Sequence, residues 1–296
     1  MNDEPNISEV PHPDATTWSQ DRRFKFIDYR LRWEGRLRRI DLTDFFNISL
    51  PQASADLAKY DEAAPENLKY DLSKKCYVRG LEFKARYSRS SPQMYLSELV
   101  GLNTGVLERS ATFLGWTPPV GLAPAPVRSF DADVLVILLT AIRDLRSVAI
   151  EYQSVESVLP QSREISPTAL GYDGTRWHVR AYCHEAERFR DFVIGRVLAA
   201  KLTEKTEWTA EKDEQWNTHV LLRIAPNPDL SEAGRRAVEL EFGMLEGQLR
   251  IEVRQALLFH TIRRLRLETS DGVQSEQPNR IVLVNRQEIE PFLLGR

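Results

Sequence analysis

The residues with the clearest chemical purpose lie between Ser49 and Lys75. A helix beginning at Leu50 turns Ala53, Leu57 and Tyr60 to one side by three-and-four spacing, which leaves Gln52, Ser54, Ala55 and Lys59 on the outside with Ser49 at the start. Short polar side chains of this kind suit base edges and phosphates in a DNA major groove, and Gln can pair with adenine through both ends of its amide. Lys69, Lys74 and Lys75 follow in a short hairpin, where ammonium groups would contact phosphates. The alternative is an ordinary helical pair with a solvated, charged face.

A second group lies further on. In the strand Arg176 to Tyr182, alternation sends Arg176, His178, Arg180 and Tyr182 to one face and Trp177, Val179 and Ala181 to the other. Arg188, Arg190 and Arg196 add guanidinium groups nearby. Arginines set among Tyr and His bind phosphates while rings stack on bases. The competing reading pairs the arginines with Glu185, Glu187 and Asp191 on a solvated surface.

Other chemistry has little support. No G-x-S-x-G, P-loop or G-x-G-x-x-G spacing is present, and nothing positive points to an enzyme or a cofactor. The five histidines (His12, His178, His184, His219 and His260) are scattered. Cys183, His184 and His178 fall within a short stretch, but vicinal residues on a strand point to opposite faces, so no metal site is expected. Two distant cysteines, Cys76 and Cys183, make no disulfide framework, which fits a reducing cytoplasm.

Several elements must position these groups. An amphipathic helix from Trp18 to about Glu34, capped by Thr16 or Thr17 and ended by Gly35, precedes a short helix over Ile40–Phe46. Asn47 then occupies the position of a helix-turn-helix turn that requires positive φ, with Ile48 plugging the space between helices. Ser49 and Gln52 have capping-box spacing, and Pro51 sits harmlessly in the first turn of a helix ending near Asp61. Strands at Leu68–Asp71 and Cys76–Arg79 flank Leu72–Lys75 as a wing. Helical character from Pro92 to about Leu107 gives way to Thr117–Pro126, a linker holding four prolines. Beyond it come a buried helix within Asp131–Asp144, alternating strands from Ser147 to about Trp208, and a mixed region. That region combines strands at Val220–Ile224, Gln248–Arg254 and Arg280–Val284 with helices at Ser231–Phe242 and Ala256–Leu267.

The bulk numbers accommodate this plan. A chain of 296 residues holds two or three domains. Its net charge of −3 argues against indiscriminate polyanion binding, yet residues 18–90 carry 16 lysines and arginines against 11 carboxylates. A basic module on an acidic body suits a DNA-binding protein whose other parts do something else. No apolar run is long enough to span a membrane, and the polar N-terminus lacks the pattern of a signal peptide.

Three stretches resemble the WYL-domain regulators, in particular the BrxR/CapW group of winged-helix repressors found beside bacterial phage-defence operons. They are FFNISLPQASADLAKYDEAAPENLKYD (45–71), ISPTALGYDGTRWHVRAYCHEAERFRDFVIGRV (165–197) and, more weakly, the segment with ALLFHTIRRLRLE (256–268). The WYL tripeptide stands here as Trp177-His178-Val179, so Tyr and Leu of the pattern are replaced. The resemblance implies an α+β chain: a winged helix-turn-helix over 16–90 after a loose tail (1–15), a helical bridge and linker over 91–130, an Sm-like or SH3-like β-barrel over 131–210 and a dimerising α+β extension over 211–296. It also implies a cytoplasmic homodimer that binds an operator with inverted-repeat symmetry and is released by a nucleic-acid or nucleotide ligand at the barrel. The alternatives are a ligand-dependent activator and a nucleic-acid-processing accessory factor targeted by its winged helix.

Overall fold

The computed structural model describes residues 18–124, 126–267 and 279–293, so the expected tail and the cap at Thr16 or Thr17 lie outside the described residues. The chain divides into two compact units, residues 1–125 and 126–296, with the boundary inside the Pro-rich stretch.

The first unit runs α1 (Trp18–Glu34), β1 (Arg36–Leu37), α2 (Arg39–Phe46), α3 (Leu50–Ala63), β2 (Leu68–Asp71), β3 (Cys76–Arg79) and α4 (Pro92–Thr104). Its core joins Phe26, Ile27 and Leu31 of α1 to Leu42 of α2 and to Ala53, Leu57 and Tyr60 of α3, the inward face expected of that helix. The wing has a third strand that alternation did not reveal: β1 pairs with β3, giving the order β1-β3-β2. Two residues are too few to carry a period-two pattern. Helix α4 ends at Gly105, earlier than Leu107, because Gly105 takes the left-handed conformation (φ 72°) that terminates helices.

The second unit opens with α5 (Ala132–Asp144) and continues through β4 (Arg146–Tyr152), β5 (Gln161–Tyr172), β6 (Trp177–Cys183), β7 (Arg188–Val193) and β8 (Val197–Lys205). These strands form one antiparallel sheet in the order β7-β6-β5-β4-β8. No ladder joins β7 to β8 among the described residues, so the expected barrel is seen as an open five-stranded sheet. Irregular register between Pro167 and Ala169 interrupts the β5–β6 ladder, as a proline without an N–H demands. Helix α5 is less buried than its apolar sequence suggests. Val134, Leu138 and Ala141 face the sheet, whereas Val136 and Leu139 are exposed, because the helix covers one sheet face only.

The chain then forms α6 (Glu214–Asn217), β9 (His219–Pro226), α7 (Glu232–Phe242), β10 (Leu249–Arg254), α8 (Gln255–Arg264), β11 (Ile281–Leu283) and α9 (Arg286–Leu293). Strand β9 lies between β10 and β11, and the apolar faces of α7, α8 and α9 close a second core over this small sheet around Leu222, Ile224 and Leu258. Helix α9 was not anticipated; it carries Pro291 inside its span, a residue that argues against a helix when only sequence is in view. No helix among the described residues is long and apolar enough to cross a membrane.

Candidate nucleic-acid interface and cationic cavity

In the first unit, Asn47 adopts φ 51° and ψ 47°, the left-handed turn that lets α3 leave α2 abruptly. Ile48 packs against the core below that turn. Ser49 caps α3 by accepting a hydrogen bond from the Gln52 backbone N–H at 3.3 Å. The second half of the expected capping box is absent, because the Gln52 amide nitrogen donates to Asp56 instead (3.1 Å). Asp56 is itself buried and held by the Arg23 guanidinium of α1 at 2.7 and 3.2 Å and by Gln20 at 3.2 Å. Burial would raise its carboxyl, but the bonds from Arg23, Gln52 and Gln20 prevail and hold it below the usual range. One amide N–H of Gln52 is thus tied down, leaving the other and the carbonyl oxygen for a bidentate partner.

Ser49, Gln52, Ala55 and Lys59 are exposed along α3, while Ser54 is half-buried. The Ser54 hydroxyl donates to the Leu50 carbonyl (3.0 Å) and accepts from Arg39 of α2 (3.3 Å). Arg39 therefore joins this face, a proximity no spacing within one helix could reveal. Leu50, 56% exposed at the head of α3, adds an apolar group of the kind that meets thymine methyls. Lys69, Lys74 and Lys75 are exposed on the wing. Asp71 fixes its tip, accepting from the Ser73 hydroxyl (2.7 Å) and from the backbone N–H groups of Ser73 and Lys74 (2.9 and 3.0 Å). With the Ser73 hydroxyl bond leading, these contacts pull its carboxyl down to about 2.

The second unit contains a cavity of about 650 Å³ between β6, β7 and the head of α8. Its lining includes six of the expected ligand residues: His178, Arg180, Tyr182, Arg188, Arg190 and Arg196. Arg176 stands outside the lining, its Nε 3.4 Å from the Asp173 carboxylate. Alternation along β6 holds, with Val179 and Ala181 fully buried behind the cavity wall and Trp177 packed on Tyr172.

The six differ in what they can offer a ligand. Arg180 is buried and occupied: it bonds Asp213 twice (2.6 and 3.1 Å), Gln215 (2.9 Å) and Asp191 (3.4 Å). Burial opposes its charge, but Asp213 and Asp191 more than compensate and raise its guanidinium's affinity for the proton. Arg188 and Arg190 are exposed and Arg196 half-buried, and none makes an ion pair among the described residues. The competing arrangement, in which these three pair with Glu185, Glu187 and Asp191, does not form; Asp191 is taken by Arg180, and Glu185 accepts from the Glu164 N–H (2.7 Å). Tyr182 stacks flat on Trp208, centroids 3.5 Å apart and planes 7° apart, with Phe189 edge-on to both. The wall thus offers uncommitted guanidiniums beside aromatic surface. Trp208, Arg163 and the α8 residues Phe259 and His260 also line the cavity and were not anticipated, since only the tertiary fold brings them to β6.

Comparison with known proteins agrees with this division. Residues 19–101 match the family model for the BrxR transcriptional regulator winged helix-turn-helix domain, residues 133–202 the WYL domain, and residues 219–289 the BrxR transcriptional regulator C-terminal dimerization domain. The DNA-binding transcriptional repressor CapW of Stenotrophomonas maltophilia is 40% identical over 282 residues, covering 93% of this chain and 93% of that protein. The CapW repressors of Pseudomonas aeruginosa and Escherichia coli are 39% and 38% identical over 276 residues, each covering 93% of this chain and 92% of the relative. These relatives are named as regulators and not as enzymes. With a capped recognition-type helix, a basic wing and all three domain matches in order, the chain belongs to the BrxR/CapW family of winged-helix, WYL-domain transcriptional repressors.

Proposed function

We propose that this protein is a cytoplasmic homodimeric repressor of a phage-defence operon. In this reading two copies of α3 enter successive major grooves of an inverted repeat, and a nucleotide or nucleic-acid ligand in the WYL-unit cavity releases the DNA. Ser49, Gln52, Ser54, Ala55 and Lys59 face the bases and nearby phosphates, and Lys69, Lys74 and Lys75 grip the backbone beside them. Two-fold symmetry sets the half-sites one helical turn apart, about 34–36 Å, or a multiple of it.

The observation that carries the sensing role is the set of guanidiniums unpaired among the described residues, Arg188, Arg190 and Arg196, around a cavity that also presents the Tyr182–Trp208 stack. Unpaired arginines beside stacked rings favour a phosphate-bearing, base-containing ligand over a neutral one. Arg180 serves here as a floor fixed by Asp213 rather than as a free contact.

A gel-shift titration on DNA from immediately upstream of the gene, with scrambled DNA as competitor, tests the first half. Competitor-resistant binding is expected; binding that scrambled DNA erases would remove the repressor reading. For the second half, Arg190→Ala and Arg196→Ala are each expected to bind operator like wild type and to resist release by added oligonucleotides or nucleotides. Loss of operator binding in these variants would assign the two arginines to structure instead.

A further inference from the structure

A polar cluster at the rim of the cavity remains unexplained by either role. Asp173 occupies the tight turn between β5 and β6, where its Oδ1 accepts from the Thr175 N–H (2.7 Å), the Thr175 hydroxyl (2.8 Å) and the Arg176 N–H (2.7 Å). Oδ2 is approached by Arg176 Nε at 3.4 Å. Nε2 of His178 lies 3.0 Å from it, and Nδ1 of His260, from α8, lies 4.0 Å from it. The two imidazole centroids are 4.8 Å apart. One potential ligand atom from each of Asp173, His178 and His260 falls within 4.8 Å of the other two.

We propose that Asp173, His178 and His260 form a binding site for a borderline divalent transition-metal ion such as zinc, clasping the sheet turn and β6 to helix α8. Two points support the assignment. First, metal–nitrogen and metal–oxygen bonds of about 2.0–2.1 Å put tetrahedral ligand atoms roughly 3.3 Å apart, so the Asp173–His178 separation already fits. His260 has to close by about 0.7 Å toward Asp173 and by up to about 1.5 Å toward His178, which rotation of a helix side chain supplies. Second, the other nitrogen of His260, Nε2, lies 4.0 Å from Oδ2 of Asp191, which puts a carboxylate on the side of the ring from which it could come to orient a ligating imidazole.

Two imidazoles and one carboxylate favour Zn²⁺, Co²⁺ or Ni²⁺ over the hard ions Mg²⁺ and Ca²⁺. Of the neighbouring cations, Arg180 is neutralised by Asp213, and Arg176, whose Nε stands 3.4 Å from the same Asp173 Oδ2, would yield that oxygen to a bound ion. A bound ion would tie two separately packed cores together, since His178 and Asp173 belong to the five-stranded sheet and His260 to the helices over β9.

The test uses the full-length, untagged protein stripped with chelator and titrated with CoCl₂, whose visible absorption reports inner-sphere nitrogen ligation, with MgCl₂ as control. One Co²⁺ per chain, displaced by Zn²⁺, is expected, and His260→Gln and Asp173→Asn are each expected to weaken binding by more than the roughly 10–100-fold that a supporting residue alone accounts for. Asp191→Asn is expected to cost about tenfold. Circular dichroism of the apo variants separates lost folding from lost ligation, and His260→Gln, at a half-buried helix position, is the variant expected to keep the fold. Absence of saturable binding at one ion per chain overturns the proposal. Equal binding by wild type, His260→Gln and Asp173→Asn overturns it too, by placing the ion elsewhere.

Discussion

Arg180 shows how much a single buried charge can commit. Its guanidinium satisfies Asp213 through two bonds and also reaches Gln215 and Asp191, with almost no exposure. Removing one partner of such a pair strands the other charge in a dry site, at about 3–5 kcal/mol. Arg180→Ala is therefore expected to destabilise the second unit by that amount in urea denaturation, while Arg190→Ala, at an exposed position, stays within about 0.5 kcal/mol of wild type. Equal stability of the two variants would contradict the pinning role. On α3, Gln52→Ala is expected to cost roughly 1–3 kcal/mol on the cognate site and to relax preference at one base position. Anisotropy titrations against single-base operator variants read this directly, whereas Lys74→Ala should weaken all sequences alike and flatten the salt dependence. Residue types and sequence proximity were enough to place Gln52 outward and to bring six of the seven residues expected to bind a ligand around one cavity. What they could not disclose is which of those groups are already spent: Asp213 lies 33 residues from Arg180, and no periodicity links them.

At the scale of elements, local rules explain nearly everything that was legible. Asn47, Ser49 and Pro51 mark a turn, a cap and a first helical turn by their own conformational preferences, and each is found in that state. Asn47→Gly is expected to leave stability near wild type, whereas Asn47→Val, β-branched at φ 51°, should cost roughly 1–2 kcal/mol in thermal melts. Leu138, fully buried where α5 meets the sheet, should cost about 2–5 kcal/mol as Leu138→Ala, more than the exposed Leu139→Ala on the same helix. If the two cost the same, the assigned inward face of α5 is wrong. The elements that escaped sequence reading are those whose reason is tertiary. Strand β1 exists because β3 offers it a ladder, and α9 because Ile289 completes a core built by other elements.

Across the first unit as a whole, two buried carboxylates respond to acid in opposite senses. Asp28 is raised by burial despite bonds from Tyr60, Ser88 and Tyr87, so protonation favours its folded state. Its contribution is largest below the ordinary carboxylate value and is lost as pH rises through the raised one. Asp56 is depressed and works oppositely: its contribution is present above the ordinary value, about 3.9, and lost as pH falls through the folded one. The first unit is therefore expected to be most stable in mild acid. Asp28→Asn should abolish the gain on acidification and Asp56→Asn the loss in stronger acid, both read from melts at stepped pH. The order of the three segments was legible because each carries its own periodicity and charge. Closure of the sheet was not, because it depends on whether two distant strands meet.

That open sheet has a further consequence for behaviour in solution. Strand β7 has no strand neighbour on its outer side among the described residues, and it carries Arg188 and Arg190 exposed. An unpaired edge invites a second chain to extend the sheet, and like charge along it is a common deterrent. The arginines poised for a ligand are thus also sentries against self-templating. Their vigilance is electrostatic, so it fades once salt shortens the screening distance below about 10 Å. Concentrated protein should scatter more light as salt rises, in the same range where its grip on DNA loosens.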